Sequence, residues 1–178
     1  MITFISGGAR SGKSAFAEKS AYHVFQKHRS LTKRLYYFAT AEQIDGEMKD
    51  RINRHQKQRE EDWQTIEVPT NVTDKLISMN PYDVILLDCL TIWLNNMMYK
   101  EEADLIVIER EIHKWMEICR RKKLHLFIVS NDVNEGIMIR DYFTDQYIYL
   151  LESIHRYFVK EADTVYQVVA SLPIKWKG

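Results

Sequence analysis

Eight consecutive residues, Gly7-Gly8-Ala9-Arg10-Ser11-Gly12-Lys13-Ser14, have the types and spacing to hold a polyphosphate. The pattern Gly-x4-Gly-Lys-Ser follows an apolar run, Ile2–Ile5, and opens a helical one, which is the context a phosphate loop requires. Glycine lets the backbone curl so that successive N–H groups point inward at phosphate oxygens. The helix that follows adds unpaired donors and the positive end of its dipole. Lys13 is then placed to reach the β/γ-phosphates of a nucleoside triphosphate and to serve its transfer chemistry, and the Ser14 hydroxyl to ligate Mg²⁺. A glycine turn beside a solvated lysine is the bland alternative. Motif, strand and helix together argue against it.

A second candidate closes the apolar run Ile85-Leu86-Leu87-Asp88. A buried strand ending in a carboxylate can present that acid to the Mg²⁺ shell of a bound nucleotide. Alone, such an acid is commonly a strand end or a helix cap. Beside a phosphate loop the metal role is the better reading.

The third is His55. Residues from Asp45 to Arg59 have helical spacing, with Ile44, Met48 and Ile52 as a short apolar stripe. Arg51, His55 and Arg59 fall at i, i+4 and i+8 and so share a face. Flanking positive charge favours a neutral imidazole, the nucleophilic form. It could attack an α-phosphorus to give a phosphoramidate while the arginines neutralise the phosphate. A polar helix face that happens to include a histidine explains the same spacing, and the residues alone leave both readings open.

The elements that must position these groups are legible as alternating runs. Strand-like segments are Ile2–Ile5, Leu35–Phe38, Val84–Leu87, Leu124–Val129 and Thr164–Val169. Helical patterns cover about Lys13–His28, Asp45–Glu61, Leu105–Arg121 and Tyr147–Glu161, with a short helix expected between Asn71 and Tyr82. This alternation predicts an α/β protein with a mostly parallel sheet flanked by helices. Ser130–Thr144 is the most irregular stretch and reads as a loop. With three prolines and no linker, repeat or low-complexity tract, residues 1–178 read as a single domain.

Composition narrows the partners. Lys plus Arg (25) balance Asp plus Glu (25), so no basic field calls for nucleic acid or an anionic membrane. No apolar run reaches the length of a membrane span, no signal peptide is visible, and Cys89 and Cys119 form no metal spacing; a cytoplasmic, reduced setting is expected. His113, His125 and His155 lack a ligand-spaced partner and read as surface or helix-edge residues. Trp93, Met97, Met98 and Trp115 read as core or subunit-interface packing, and Cys89 as a small core residue.

Taken together, the motifs resemble the adenosylcobinamide kinase / adenosylcobinamide-phosphate guanylyltransferase family of cobalamin biosynthesis. The resemblance rests on the phosphate loop with Ala17-Glu18, then Tyr37-Phe38-Ala39-Thr40-Ala41, then Asp45, Glu47-Met48, Arg51-Ile52 and His55. It continues through Trp63-x-Thr65-Ile66-Glu67-x-Pro69 and Leu86-Leu87-Asp88-Cys89-Leu90-Thr91-x-Trp93-Leu94-x-Asn96. It implies a RecA-like P-loop fold and a bifunctional enzyme. Such an enzyme phosphorylates adenosylcobinamide, then moves GMP from GTP onto the new phosphate through a guanylylated histidine, matched here by His55. It further implies ATP and GTP as substrates with Mg²⁺, a corrinoid as the small-molecule partner, and a homo-oligomer, commonly a trimer. Ala39, Thr40, Ala41, Gln56, Lys57, Gln58 and Arg59 would line the guanine nucleotide site, with Glu67 and Asp88 also contacting it. A carboxylate suits guanine because it accepts from both N1–H and the exocyclic amine.

The last third departs from the family pattern. Where the family reads Asn-Glu-Val-Gly-x-Gly-Ile-Val-Pro, this chain has Asn131-Asp132-Val133-Asn134-Glu135-Gly136-Ile137-Met138-Ile139, and an arginine-rich helix is shortened. Val165–Lys175 resembles the closing strands, with Ser171 in place of the usual glycine before Leu-Pro. Two rival expectations therefore stand beside the bifunctional one. One is a P-loop kinase for another small alcohol without guanylyl transfer, and the other a nucleotide-binding regulatory protein that has lost transfer activity.

Overall fold

The computed structural model describes residues 1–27, 34–41, 62–132 and 142–178. Seven strands form one sheet: β1 (Ile2–Gly7), β2 (Leu35–Ala39), β3 (Trp63–Glu67), β4 (Val84–Asp88), β5 (His125–Asn131), β6 (Thr164–Val169) and β7 (Leu172–Lys177). Five helices are described: α1 (Lys13–Lys27), α2 (Val72–Ser78), α3 (Leu90–Tyr99), α4 (Leu105–Lys122) and α5 (Tyr142–Glu161). The strand order is β3-β2-β4-β5-β1-β6-β7, parallel throughout except for β7, which returns antiparallel to β6. This is the mostly parallel α/β sheet flanked by helices that the alternating runs predict.

Because the inner strands are covered on both faces, they carry continuous apolar runs such as Val84–Leu87 and Leu126–Val129 rather than an alternating pattern. Val84 and Leu86 pack on the α1 side, whereas Ile85 and Leu87 pack on the side of the other helices. Helix α1 buries Lys13, Ala17, Ala21 and Phe25, one per turn along a single line. The two alanines let it lie close to the sheet, so its N-terminus is held firmly at the end of β1. On the opposite face Trp93 of α3 meets Trp115 of α4 edge-on, with centroids 4.4 Å apart and both side chains fully buried. Met97 is buried beside them, and Met98 packs at the margin. Truncating either tryptophan to alanine would cost about 3–5 kcal/mol.

Helix α3 was not legible as a separate element. It is apolar on most sides and starts at Cys89 without a side-chain cap, so neither a polar stripe nor an N-cap residue marks it. The stretch read as irregular is shorter than expected at both ends. Strand β5 runs on through Asn131, and α5 begins at Tyr142 rather than Tyr147. The expected helix Asp45–Glu61 lies outside the described residues. Among the described residues, no helix is long and apolar enough to cross a membrane.

Candidate active site

The phosphate loop joins β1 to α1 and curls as its glycines require. Gly12 has φ of +88° and Arg10 a φ of +58°, so the backbone turns left-handed twice within three residues. The Ser11 amide donates to the Gly8 carbonyl at 3.2 Å, and the Phe16 amide to the Gly12 carbonyl at 3.0 Å. Gly7 is required for a different reason. A Cβ there would stand 2.5 Å from the Val168 carbonyl oxygen of β6, so the strands can approach only without a side chain. The Lys13 side chain lies back over the loop, largely buried, and its ammonium donates to the Gly8 carbonyl at 3.0 Å. Ala9 and Arg10 are exposed at the rim, and Ser14 is half-buried in the first turn of α1.

The β6–β7 turn braces this loop from outside. Ser171 donates its amide to the Ser11 carbonyl at 2.8 Å. A Cβ on Gly12 would meet the Ser171 hydroxyl at 2.8 Å. The last third of the sequence therefore shapes the phosphate loop even where its side chains differ from the family pattern.

Asp88 ends β4 at the same edge of the sheet. Its carboxylate accepts a hydrogen bond from the Tyr37 phenol at 2.6 Å. In the register of the sheet, Glu67 pairs with Ala39 and Ala39 with Asp88, so three neighbouring strands end in one row. Strand β5 separates β4 from β1, with Gly7 paired to Asn131. The structure thus brings Gly7 to Ser14, Asp88, Ala39 and Glu67 to one sheet edge.

Thr40 and Ala41 follow β2 into the same region, but Thr40 is fully buried and its polar groups are engaged. Its hydroxyl donates to the Cys89 carbonyl at 2.9 Å and accepts from the Cys89 amide at 2.8 Å. Its carbonyl accepts from the Asn96 carboxamide, which also reaches the Pro69 carbonyl. These bonds tie the ends of β2, β3 and β4 together. His55, Gln56, Lys57, Gln58 and Arg59 lie outside the described residues. No group of three or more His, Cys, Asp or Glu among the described residues could hold a metal ion by itself.

Two polar residues at this edge had drawn no role from the residues alone. Tyr37 and Asn131 belong to otherwise apolar strands, and a polar group at the carboxyl end of such a strand was the signal available. The Asn131 carboxamide donates to the Thr91 hydroxyl at 3.2 Å, and that hydroxyl is 3.0 Å from the Cys89 sulfur. Cys89 is buried, as expected, and burial pushes its thiol pKa up.

His155 departs from expectation. It turns inward from α5, with its Nε2 2.7 Å from the Ser130 hydroxyl and its ring edge-on to Phe4, 5.2 Å between centroids. Burial lowers its pKa. His113 stacks on Tyr157 at 4.6 Å between centroids.

Comparison with known proteins agrees with this layout. The family model described as cobinamide kinase / cobinamide phosphate guanyltransferase matches residues 3–176. The bifunctional adenosylcobalamin biosynthesis protein CobP of Pseudomonas aeruginosa is 32% identical, covering 100% of this chain and 98% of its own. The bifunctional adenosylcobalamin biosynthesis protein CobU of Escherichia coli K12 is 29% identical, covering 99% and 100% respectively. Among solved structures, the KaiC-like protein PH0186 of Pyrococcus horikoshii OT3 aligns with a TM-score of 0.49 at 12% identity, over 93% of this chain and 69% of that one. With a family match across nearly its whole length and an intact phosphate loop, the chain belongs to the cobinamide kinase / cobinamide phosphate guanyltransferase family.

Proposed function

We propose that this protein carries out both reactions of its family: it phosphorylates adenosylcobinamide and then transfers GMP from GTP to the resulting phosphate. The observation that carries this reading is the family match over residues 3–176 together with a curled phosphate loop at the same sheet edge as Asp88. The curled backbone between Gly8 and Ser14 offers N–H donors to the triphosphate, and Lys13 neutralises its β/γ oxygens.

The donor chemistry suits Mg²⁺. Ser14 and Asp88 are hard oxygen ligands, one of them fixed by Tyr37, and the two stand at one sheet edge. So small a protein ligand set fits a cation that keeps several waters and shares phosphate oxygens. Ser14 and Asp88 would hold Mg²⁺, which supplies charge neutralisation on the phosphates when bound.

In the kinase reaction the protein orients the γ-phosphoryl group toward the corrinoid's free hydroxyl, with ATP or GTP as donor. In the second reaction His55 attacks the α-phosphorus of GTP, pyrophosphate leaves, and GMP is carried on the imidazole. The acceptor phosphate then attacks the same phosphorus and releases the histidine. Arg51 and Arg59 flank His55 on the proposed helix face and offset phosphate charge. Ala39, Ala41, Gln56, Lys57, Gln58, Arg59 and Glu67 form the guanine nucleotide site, with Glu67 accepting from the base, while the buried Thr40 ties the ends of β2 and β4 together behind it.

Incubation with adenosylcobinamide, ATP, GTP and Mg²⁺, followed by mass analysis of the corrinoid, tests the reading. It requires a phosphorylated intermediate followed by a GDP-linked product. Phosphorylation without guanylyl transfer would leave a kinase only, and an unchanged corrinoid would defeat the proposal.

A further inference from the structure

We infer that Asn131 is a catalytic residue of the phosphoryl-transfer step, donating from its carboxamide to the γ-phosphoryl group. This deepens the proposed function and rests on it. The argument begins with strand order. β5 is hydrogen-bonded to the phosphate-loop strand on one side and to the Asp88 strand on the other. Its last residue therefore stands between the two groups that must bracket the transferring phosphoryl.

Register and pleat fix the position further. Gly7, the first residue of the loop motif, is the direct partner of Asn131. Asp88 is paired with Val129, so Asn131 lies one strand over and two residues closer to the open edge. Leu86 and Val129 both pack beneath α1. Two residues on, Asp88 and Asn131 consequently project from that same face, where Lys13 begins the helix.

The side chain is also held for the task. Asn131 is half-buried, and one of its amide hydrogens goes to Thr91, a buried residue in the first turn of α3. The backbone just beyond is pinned where the Asp132 amide donates to the Gly7 carbonyl at 3.0 Å. Gln167 of β6 reaches the Asp132 carboxylate at 3.4 Å. A carboxamide carries a second N–H and no charge. It can donate to a phosphoryl oxygen without repelling it, and it cannot act as a base.

In the step itself, the acceptor hydroxyl oxygen forms a bond to the γ-phosphorus as the bond to the β–γ bridging oxygen breaks. The nucleoside diphosphate keeps that electron pair, and the hydroxyl proton passes by way of a phosphoryl oxygen to water. Charge shifts over the γ oxygens on the way, and a fixed donor there lowers the barrier. Attack by His55 on the α-phosphorus makes no such demand, because the γ-phosphate then leaves as part of pyrophosphate.

The two reactions therefore give the test. Asn131→Ala and the near-isosteric Asn131→Asp are compared with wild type in two assays: steady-state phosphorylation of adenosylcobinamide, and single-turnover labelling of the protein by GTP without acceptor. A fixed transition-state donor of this kind is worth about 100-fold in rate. Kinase kcat should fall by at least about that factor in both variants, and in Asn131→Ala the KM for the nucleotide and the labelling rate should each hold within about threefold. In Asn131→Ala, a kinase kcat within about twofold of wild type, or kinase and labelling rates falling in parallel, would overturn the inference and leave Asn131 a packing residue. Wild-type protein unable to phosphorylate the corrinoid would overturn the functional reading, and this inference with it.

Discussion

The phenol of Tyr37 donates to the carboxylate of Asp88 at 2.6 Å, across two neighbouring strands and 51 positions of sequence. Tyr37 pairs with Leu86 in the ladder, two residues before Asp88, so its long side chain reaches forward along the face to meet the acid. The bond fixes the orientation of a carboxylate that would otherwise swing at a strand end. Removing the outer partner of a metal-binding group typically costs 10- to 100-fold in metal affinity or activity. Tyr37→Phe should fold normally yet need about tenfold more Mg²⁺ for half-maximal kinase activity. A Mg²⁺ titration of both proteins checks this, and superimposable curves would remove Tyr37 from the account.

The turn against the phosphate loop carries strain that glycine would relieve. Ala170 and Ser171 form a two-residue connection between β6 and β7, with φ of +48° and +67°. That turn type asks for positive φ at both positions and favours Asn-Gly. A residue with a Cβ pays about 1 kcal/mol or more in the left-handed region, partly offset because glycine is freer when unfolded. Ser171→Gly should raise stability by about 0.5–1 kcal/mol. Chemical denaturation would register it as a higher midpoint at unchanged slope, whereas a lower midpoint would mean that the Ser171 hydroxyl contributes more than its backbone costs.

His155 makes the fold acid-sensitive. Burial lowers its folded pKa below the unfolded value, so below the ordinary histidine range the unfolded chain binds the extra proton more readily. Its contribution is fully present above about pH 6.5, the unfolded value, and is lost as pH falls below it. Protonation also adds a hydrogen to a ring packed between Phe4 and Ser130. Thermal midpoints measured from pH 7.5 down to 5 should fall more steeply for wild type than for His155→Gln. Parallel profiles would show that other groups set the acid limit.

The contrast between these residues shows what the sequence could carry. The places of Gly7–Ser14 and Asp88 in the fold were legible because their signals are local: a loop between strand and helix, and an acid at the end of an apolar run. The parallel sheet followed from strands alternating with helices, whereas the order that sets β5 between β1 and β4 did not. The contacts of Tyr37, Asn131 and His155 were not legible. Each depends on the register of strands or on a helix facing inward, which no neighbouring residue encodes. His155 looks like an edge histidine until α5 is laid against Phe4 and Ser130. Thr40 is a related case, since its motif position invites a contact with nucleotide, yet its hydroxyl is bonded to the Cys89 backbone.

Glu67 tests the choice of base. It ends β3 in line with Ala39 and Asp88, on the open edge where β2 and β4 also finish. If its carboxylate accepts from guanine N1–H and the exocyclic amine, loss of charge should weaken GTP and spare ATP. A charge-assisted hydrogen bond is worth about 1.5–3 kcal/mol, so Glu67→Gln should reduce the preference for GTP in protein labelling at least about tenfold. Competition between GTP and ATP reads this directly. An unchanged ratio would move base recognition elsewhere.

Covalent capture of GMP on His55 is the most direct test of the central claim. Wild-type protein incubated with GTP and Mg²⁺, without acceptor, should gain the mass of one GMP through a phosphorus–nitrogen bond that acid breaks and base leaves intact. His55→Ala should bind GTP as wild type does and gain nothing. Lys13→Ala should fail earlier, through loss of triphosphate binding. Adenosylcobinamide phosphate added to the labelled wild type should discharge it. Wild-type protein that never acquires the label, or a label that persists in His55→Ala, would contradict the guanylyltransferase account.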